Sequence, residues 1–201
     1  MKSPAKSMVS VMIALGLIAA CPAAGQNQFG LFFDTGGNVI CTTAAFLSHV
    51  PMYVLYLDPD PQEVSGCDLA IRADMGGNPP LVCNSQFSFS SPTGTVLGDG
   101  AMDQIAVRWD PPLPCTSVTM MLCVDIFYLD FYPIAFAIDG PASPAFPLTG
   151  PYVILPDGSG LEVGEAINSN PDYMCYINSP FACASPNEPT EWGTIKCLYR
   201  D

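Results

Sequence analysis

Between Cys115 and Asp139 the chain reads CTSVTMMLCVDIFYLDFYPIAFAID, its longest apolar stretch beyond the first 25 residues. Val118, Met120, Leu122, Val124, Ile126 and Tyr128 are all apolar, while Ser117, Thr119, Met121, Cys123, Asp125 and Phe127 are mixed. A period of two marks a strand with one face in a core, because successive side chains point to opposite sides. After a break at Asp130 to Pro133 the same parity resumes at Ile134, Phe136 and Ile138. The pattern predicts a β-hairpin whose apolar face must be covered by further strands.

Those strands are legible on either side. Gln28 to Asp34 carries Leu31-Phe32-Phe33, and a Gly36-Gly37-Asn38 turn leads to a short strand over Val39 to Thr42. Glycine and asparagine tolerate the positive φ that such turns need. Pro51 to Leu57 is apolar on both faces, as a central strand can be, and Asp58-Pro59-Asp60-Pro61 ends it because proline denies the ladder a donor. Cys67, Leu69 and Ile71 alternate with Asp68, Ala70 and Arg72. Ser85 to Ser90 and Gln104 to Trp109 alternate in the same way, and Pro111, Pro112 and Pro114 read as the lead into the hairpin. Tyr152 to Leu155 is the last strand expected. About nine short strands separated by turn signals predict an all-β chain, a two-sheet antiparallel sandwich over residues 26–156, with a small barrel as the alternative. Residues 157–201 read as a loop-rich, cysteine-containing tail. Thr190 to Arg200 predicts a short terminal helix, with Thr190 as its cap and Trp192, Ile195 and Leu198 or Tyr199 on one face. So short a helix needs the sandwich, a disulfide or a partner to hold it.

Residues 1–25 have the parts of a secretory signal: Lys2 and Lys6, then a 13-residue apolar run from Met8 to Ala20, then Ala23-Ala24-Gly25. Cleavage there leaves Gln26 first. The alternative is a lipid anchor at Cys21, read from Ile18-Ala19-Ala20-Cys21, which Pro22 disfavours. Export places the remaining eight cysteines in oxidising surroundings. Cys41, Cys67, Cys83, Cys115, Cys123, Cys175, Cys183 and Cys197 are therefore disulfide candidates, with a connectivity the sequence does not fix. Zinc is a poor reading of them, since no CxxC occurs and His49 is the only histidine.

Charge narrows the partners. Beyond residue 25 the chain keeps four cations, Arg72, Arg108, Lys196 and Arg200, against nineteen acids, a net of −15. Four cations do not neutralise a phosphate backbone or an anionic membrane, so nucleic acid and lipid surfaces are excluded as expected partners. Clustered acids point instead to cations. Asp58, Asp60 and Glu63 share one proline-bounded loop and are candidate oxygen ligands for Ca²⁺, the only cofactor in view, although EF-hand spacing is absent. Asp99 and Asp103 are weaker candidates of the same kind.

Nucleophilic catalysis has thin support. His49 is the sole possible base of a Ser–His–Asp triad, Ser48 is merely its neighbour in sequence, and no GxSxG elbow exists. Nineteen acids give many carboxylate pairs and no selective one. No catalytic residue is predicted. Tyr53, Tyr56, Phe87, Phe89, Trp109, Phe127 and Tyr128 sit at strand parity, where core packing is the default and an exposed row would make a sugar platform.

The segments GLFFDTGGNVICTT, PMYVLYL and EVSGCDLAIRAD, in this order, resemble a group of exported bacterial proteins with a cohesin-like or immunoglobulin-like sandwich. The resemblance spans residues 26–155. It implies a fold and no assigned activity, so it supplies no catalytic residues. The ending EWGTIKCLYR resembles a short tail on such proteins, which implies a sorting or attachment element. The expected function is a non-enzymatic exported module for surface structure, adhesion or protein–protein contact. A carbohydrate- or calcium-binding module is the alternative and a hydrolase the third reading. The expected partner is a protein or glycan at the cell surface.

Overall fold

The computed structural model describes residues 27–77, 80–97, 101–165 and 174–179. The leader, Cys21, the terminal helix, Asp99, Cys183 and Cys197 lie outside the described residues. Thirteen strands occur among the described residues. They are β1 (Gln28–Phe32), β2 (Cys41–Thr42), β3 (Ser48–Leu57), β4 (Glu63–Asp74), β5 (Gln86–Ser90), β6 (Thr95–Leu97) and β7 (Ile105–Pro114). There follow β8 (Val118–Tyr128), β9 (Ile134–Asp139), β10 (Tyr152–Ile154), β11 (Gly160–Glu162), β12 (Gly164–Glu165) and β13 (Cys175–Ile177).

Two sheets form. One has the order β12-β1-β3-β8-β5; the other runs β11-β10-β4-β9-β13-β2, with β7 also on β4 and β6 on β7. The long β4 is the shared spine of the second sheet. Its first half pairs with β7 and β10, its second half with β9. Nearly all pairings are antiparallel, and the short β12 and β13 join β1 and β2 in parallel. The all-β, two-sheet expectation holds. No helix occurs among the described residues.

The apolar stretch from Cys115 to Asp139 does not form the expected hairpin. β8 lies in the first sheet and β9 in the second. Both strands carry a strongly apolar face, and two such faces bury more surface opposite each other than side by side. The segment Leu129 to Pro133 therefore crosses between layers. Ile126, Tyr128, Ile134 and Phe136 all enter one core with Leu31, Met52, Leu69 and Val107.

A second difference concerns parity. Along the β3–β8 ladder Val54 faces Leu122 and Leu55 faces Met120, so Met121 is an extra residue. This bulge switches the inward set, as an unpaired residue must in a structure of period two. Above it Leu122, Val124, Ile126 and Tyr128 are buried; below it Thr119 is buried and Val118 exposed.

The prolines of β7 behave similarly. Gly66 faces Arg108 and Val64 faces Leu113, so Trp109 to Pro112 bow out of the ladder opposite Ser65. Pro111 and Pro112 have no N–H to give, and leaving the ladder removes the demand for one. These residues are thus part of a strand rather than a connection. Finally, β11, β12 and β13 follow Tyr152–Ile154 and pair with β10, β1 and β9. The expected last strand is not last, and the sandwich takes in residues beyond 156. These strands have only two or three residues each, too few for period two to show in sequence.

No two of the described cysteines are joined by a disulfide. Cys67 stands in the core, facing Val107 and Val153 across its ladders. Burial pushes its thiol up to about 12, and burial likewise raises Cys83 to about 11.

Candidate functional site

One end of the sandwich gathers the features that the core does not use. Three connections meet there: residues 43–47 between β2 and β3, residues 75–85 between β4 and β5, and residues 129–133 between β8 and β9. Asn178 and Ser179, which follow β13, join them. Each connection presents large apolar side chains to solvent. Phe131 is 78% exposed, Val82 77% and Leu47 58%, with Phe46, Tyr132 and Leu81 also exposed. Phe46 and Phe131 come from different connections and stack on one another at 4.6 Å and 17°.

Exposed apolar groups on loops call for an account of what holds them out. Here the loops are fixed from below by polar networks. Asp130 is buried. Its carboxylate accepts from Asn84 N at 3.0 Å, Ser85 N at 2.9 Å, Ser85 Oγ at 2.6 Å and Asn84 Nδ2 at 3.1 Å. Burial alone would raise this carboxyl, but the hydrogen bonds from Ser85 and Asn84 outweigh it and hold it below its ordinary value. The Ser85 hydroxyl in turn accepts from Leu129 N at 3.0 Å. One carboxylate thus clamps the Val82 connection to the Phe131 connection. Tyr128 donates its phenol to Tyr132 O at 2.7 Å and closes the turn that carries Phe131.

The Phe46 connection is held from the other side. Asn178 accepts from Ala44 N at 2.9 Å and donates to Ala44 O at 2.8 Å. Ser48 Oγ donates to Ala45 O at 2.6 Å. Leu47 N donates to Tyr128 O at 2.9 Å. Leu47 itself has φ 65°, a left-handed conformation that a bulky residue seldom adopts and that surrounding bonds must impose. A shallow cleft of about 250 Å³ adjoins this apex, lined by Asp74, Met75, Pro133, Ile134, Tyr176 and Ser179.

A larger groove, about 570 Å³, runs beside the edge strand β5 between the sheets, lined among others by Ile71, Arg72, Phe87, Met102, Asp103 and Asp139. Arg72 Nε pairs with Asp139 Oδ2 at 3.0 Å on its wall. A further buried cluster sits under the β9–β10 connection. Asp68 accepts from Arg108 Nη1 at 2.5 Å and from the Tyr152 hydroxyl. Tyr152 also accepts from Ala145 N at 3.0 Å. Burial first, then the Asp68 bond, raises the Tyr152 phenol to about 12. Asp68 is thus bonded through both oxygens, to Arg108 and to Tyr152, and Tyr152 in turn holds Ala145, which makes the cluster a pin for the connection above it.

The sequence-derived candidates fall elsewhere. Asp58 and Asp60 lie in the β3–β4 connection and Glu63 opens β4, all exposed and at the opposite end from the apex. Asn27 organises that connection: its side chain accepts from Tyr56 Oη and from Asp60 N, both at 2.7 Å. Among the described residues no three His, Cys, Asp or Glu side chains are grouped to hold a metal ion. His49 stands on the outer face of the first sheet, its Nδ1 2.7 Å from Asp125 Oδ2 and its ring stacked on Phe127 at 4.8 Å. Ser48 Oγ is committed to Ala45 O, so His49 and Ser48 are not joined. Of the aromatics, Tyr56, Trp109 and Tyr128 are core, as the default reading has it. Phe46, Phe131 and Tyr132 were not among the candidates, and a pair of aromatics inside a proline-ended turn was the available signal.

No family model matches the chain, and no curated protein matches it. Solved structures do. The sixth cohesin of Acetivibrio cellulolyticus scaffoldin B, in complex with a Cel5 dockerin, is similar at TM-score 0.48 and 9% identity, covering 77% of this chain and 99% of that one. A type II cohesin domain from the cellulosome of the same organism gives 0.48 and 13%, covering 80% and 100%. The third ScaB cohesin of R. flavefaciens, in complex with a group 1 dockerin, gives 0.47 and 13%, covering 77% and 98%. The structural neighbours are cohesin domains. They belong to the β-sandwich class that the sequence resemblance implied. At these identities and scores the likeness carries no argument about what this chain binds.

Proposed function

We propose that this chain is a non-enzymatic exported module and that it contacts a protein partner through the aromatic apex formed by Phe46, Leu47, Val82, Phe131 and Tyr132. The observation that carries the reading is an exposed apolar cluster on loops already locked in place. Contiguous exposed apolar surface costs solubility and marks contact sites. Loops that are ordered before binding lose less entropy when a partner arrives. Aromatic side chains at the centre of such a patch are the usual energetic anchors. The export signal, and with it a location outside the cell or at its surface, rests on the Lys2 to Gly25 pattern.

A glycan platform is the second reading, because stacked rings are exposed. Two observations weigh against it. Phe46 and Phe131 spend one face each on the other. The neighbouring polar groups, Asp130, Asn84 and Ser85, are consumed by bonds among themselves, while sugar hydroxyls need donors and acceptors beside the ring.

The test is a double substitution, Phe46→Ser with Phe131→Ser, in the mature chain. Partner capture from the cell surface is compared between wild type and variant, with thermal melting as the control for folding. Loss of a captured protein at unchanged melting supports the apex. Equal capture by both chains removes it. Glycan-array binding that the variant loses, with no protein captured by either chain, transfers the site to the sugar reading.

A further inference from the structure

The first sheet ends at β5, and this end is open. Leu47 N donates to Tyr128 O, so the backbone groups of Tyr128 turn toward β3. Alternation along β8 then turns those of Phe127, Asp125 and Cys123 toward β5, where they face Gln86, Ser88 and Ser90. Phe87 and Phe89 direct their N–H and C=O the other way, off the end of the sheet. Proteins usually blunt such edges with very short strands, lysine, proline or inward charges. The other edge strands described, β2, β6, β11 and β12, have two or three residues each. Gln86–Ser90 has five, with no charge and no proline among them.

The 570 Å³ groove lies directly beside this edge, with Phe87 on one wall and Ile71, Ala73 and Met102 on the other. Phe87 reaches from the edge to the core, edge-on to Phe136 at 6.2 Å. Across the groove the β4–β7 ladder stops at Leu69, and Ile71 N turns to Met102 O instead. Among the described residues the Ala70–Asp74 half of β4 therefore carries a strand on one side only, β9. Two open strand edges thus flank one apolar groove, the geometry that accepts an added strand: main-chain bonds along the edge and alternate side chains in the groove. Charge selects the occupant. Asp103 and Asp139 stand on the walls against Arg72, which is paired with Asp139. Asp103 is exposed and enters none of the ion pairs among the described residues. A second copy would bring a further net −15 to an already acidic groove, whereas a cationic segment is attracted to it.

We infer that the open edge of β5 takes up an extended, basic peptide segment of another protein as an added strand. The N–H and C=O groups of Phe87 and Phe89 bond its backbone. Its alternate apolar side chains fill the groove against Ile71, Ala73 and Met102, and a lysine or arginine at the rim meets Asp103. The groove and the aromatic apex share no lining residue, so this contact stands or falls independently of the one at Phe46 and Phe131.

Amide hydrogen exchange read by NMR on the mature chain tests this residue by residue. The probe is a capped synthetic peptide in which valine alternates with lysine and threonine. In the free chain the Phe87 and Phe89 amides should exchange fast, while those of Gln86, Ser88 and Ser90, turned to β8, exchange slowly. Saturating peptide should slow Phe87 and Phe89 by about tenfold or more. Two control peptides should leave them unchanged: the same sequence N-methylated at alternate residues, which keeps the charge and removes the ladder donors, and a version with glutamate for lysine. Asp103→Lys alters an exposed side chain and should weaken the basic probe by about fivefold, the reach of one exposed ion pair. Equal binding of the N-methylated peptide would mean attraction by net charge alone and overturns the inference. So do Phe87 and Phe89 amides that are already slow in the dilute free chain, which would mean a covered edge. Protection that rises with chain concentration in the absence of peptide would give the edge to a second copy and likewise overturns it.

Discussion

Asp130 shows how one residue can serve a surface it is not part of. It is 3% exposed, yet it positions two connections whose tips are among the most exposed apolar groups described. Replacing it by asparagine keeps the shape and turns one acceptor oxygen into a donor facing other donors. Asp130→Asn is expected to cost about 1–3 kcal/mol, the penalty of leaving buried groups unsatisfied, measured as a fall in the urea midpoint. The pH dependence has a definite sign. The folded carboxyl lies below its ordinary value, so its stabilisation is complete above the unfolded value. It is lost as pH falls through the folded one. The wild-type chain should lose stability over that acid window more steeply than the asparagine variant, and parallel acid limbs for the two would refute the assignment. Cys67 offers a second residue-scale test. Its thiol, pushed to about 12 in the core, should resist alkylation in the folded chain at mildly alkaline pH and react once urea is added. Mass spectrometry after labelling reads this directly, and prompt labelling without urea would contradict its burial.

At the scale of elements, the strands themselves were legible because half-buried strands print their period in the sequence. β4 shows this with Cys67, Leu69 and Ile71 inward. What the pattern could not carry was which sheet a strand joins. β8 and β9 have the same alternation whether they pair by their edges or face each other across a core, and the choice is made by the whole set of apolar faces. The bulge at Met121 was hidden for a related reason, since an inserted methionine is as apolar as its neighbours. The apex was hidden because exposure is a tertiary property: Phe131 is no different in composition from the buried Phe136. A close approach between elements gives a prediction here. A Cβ at Gly140, just past β9, would come within 2.1 Å of Thr149 O, a backbone atom. Gly140→Ala must push the 141–151 connection off Tyr152 and the Asp68 cluster, at a cost of about 1–3 kcal/mol for overpacking. Gly76→Ala, whose added Cβ meets nothing within 4 Å, carries only the strain of its φ of +66°. The thermal midpoint should therefore fall further for the Gly140 variant, and an equal or smaller fall would show that the connection is free to move.

At the scale of the whole molecule the described residues form a sandwich, the chain's charge is strongly one-signed, and this shapes its stability. The described arginines are both paired with acids, at 3.0 Å for Arg72–Asp139 and 2.5 Å for Arg108–Asp68. Most of the remaining carboxylates therefore repel one another across the surface, Asp58, Asp60, Glu63, Asp110 and Asp157 among them. Such repulsion favours the solubility of an exported protein and opposes its compaction. Salt screens surface charges beyond a Debye length of about 10 Å at 0.1 M. Added sodium chloride should then raise the thermal midpoint, each ~1 kcal/mol recovered appearing as about 2–4 °C in a domain of this size. The two ion pairs pull the other way, since screening weakens them. Arg72–Asp139 is half exposed and worth little, and Arg108–Asp68 is shielded by its burial, so the net sign is set by repulsion. A midpoint that falls steadily with salt would mean that attraction governs the surface.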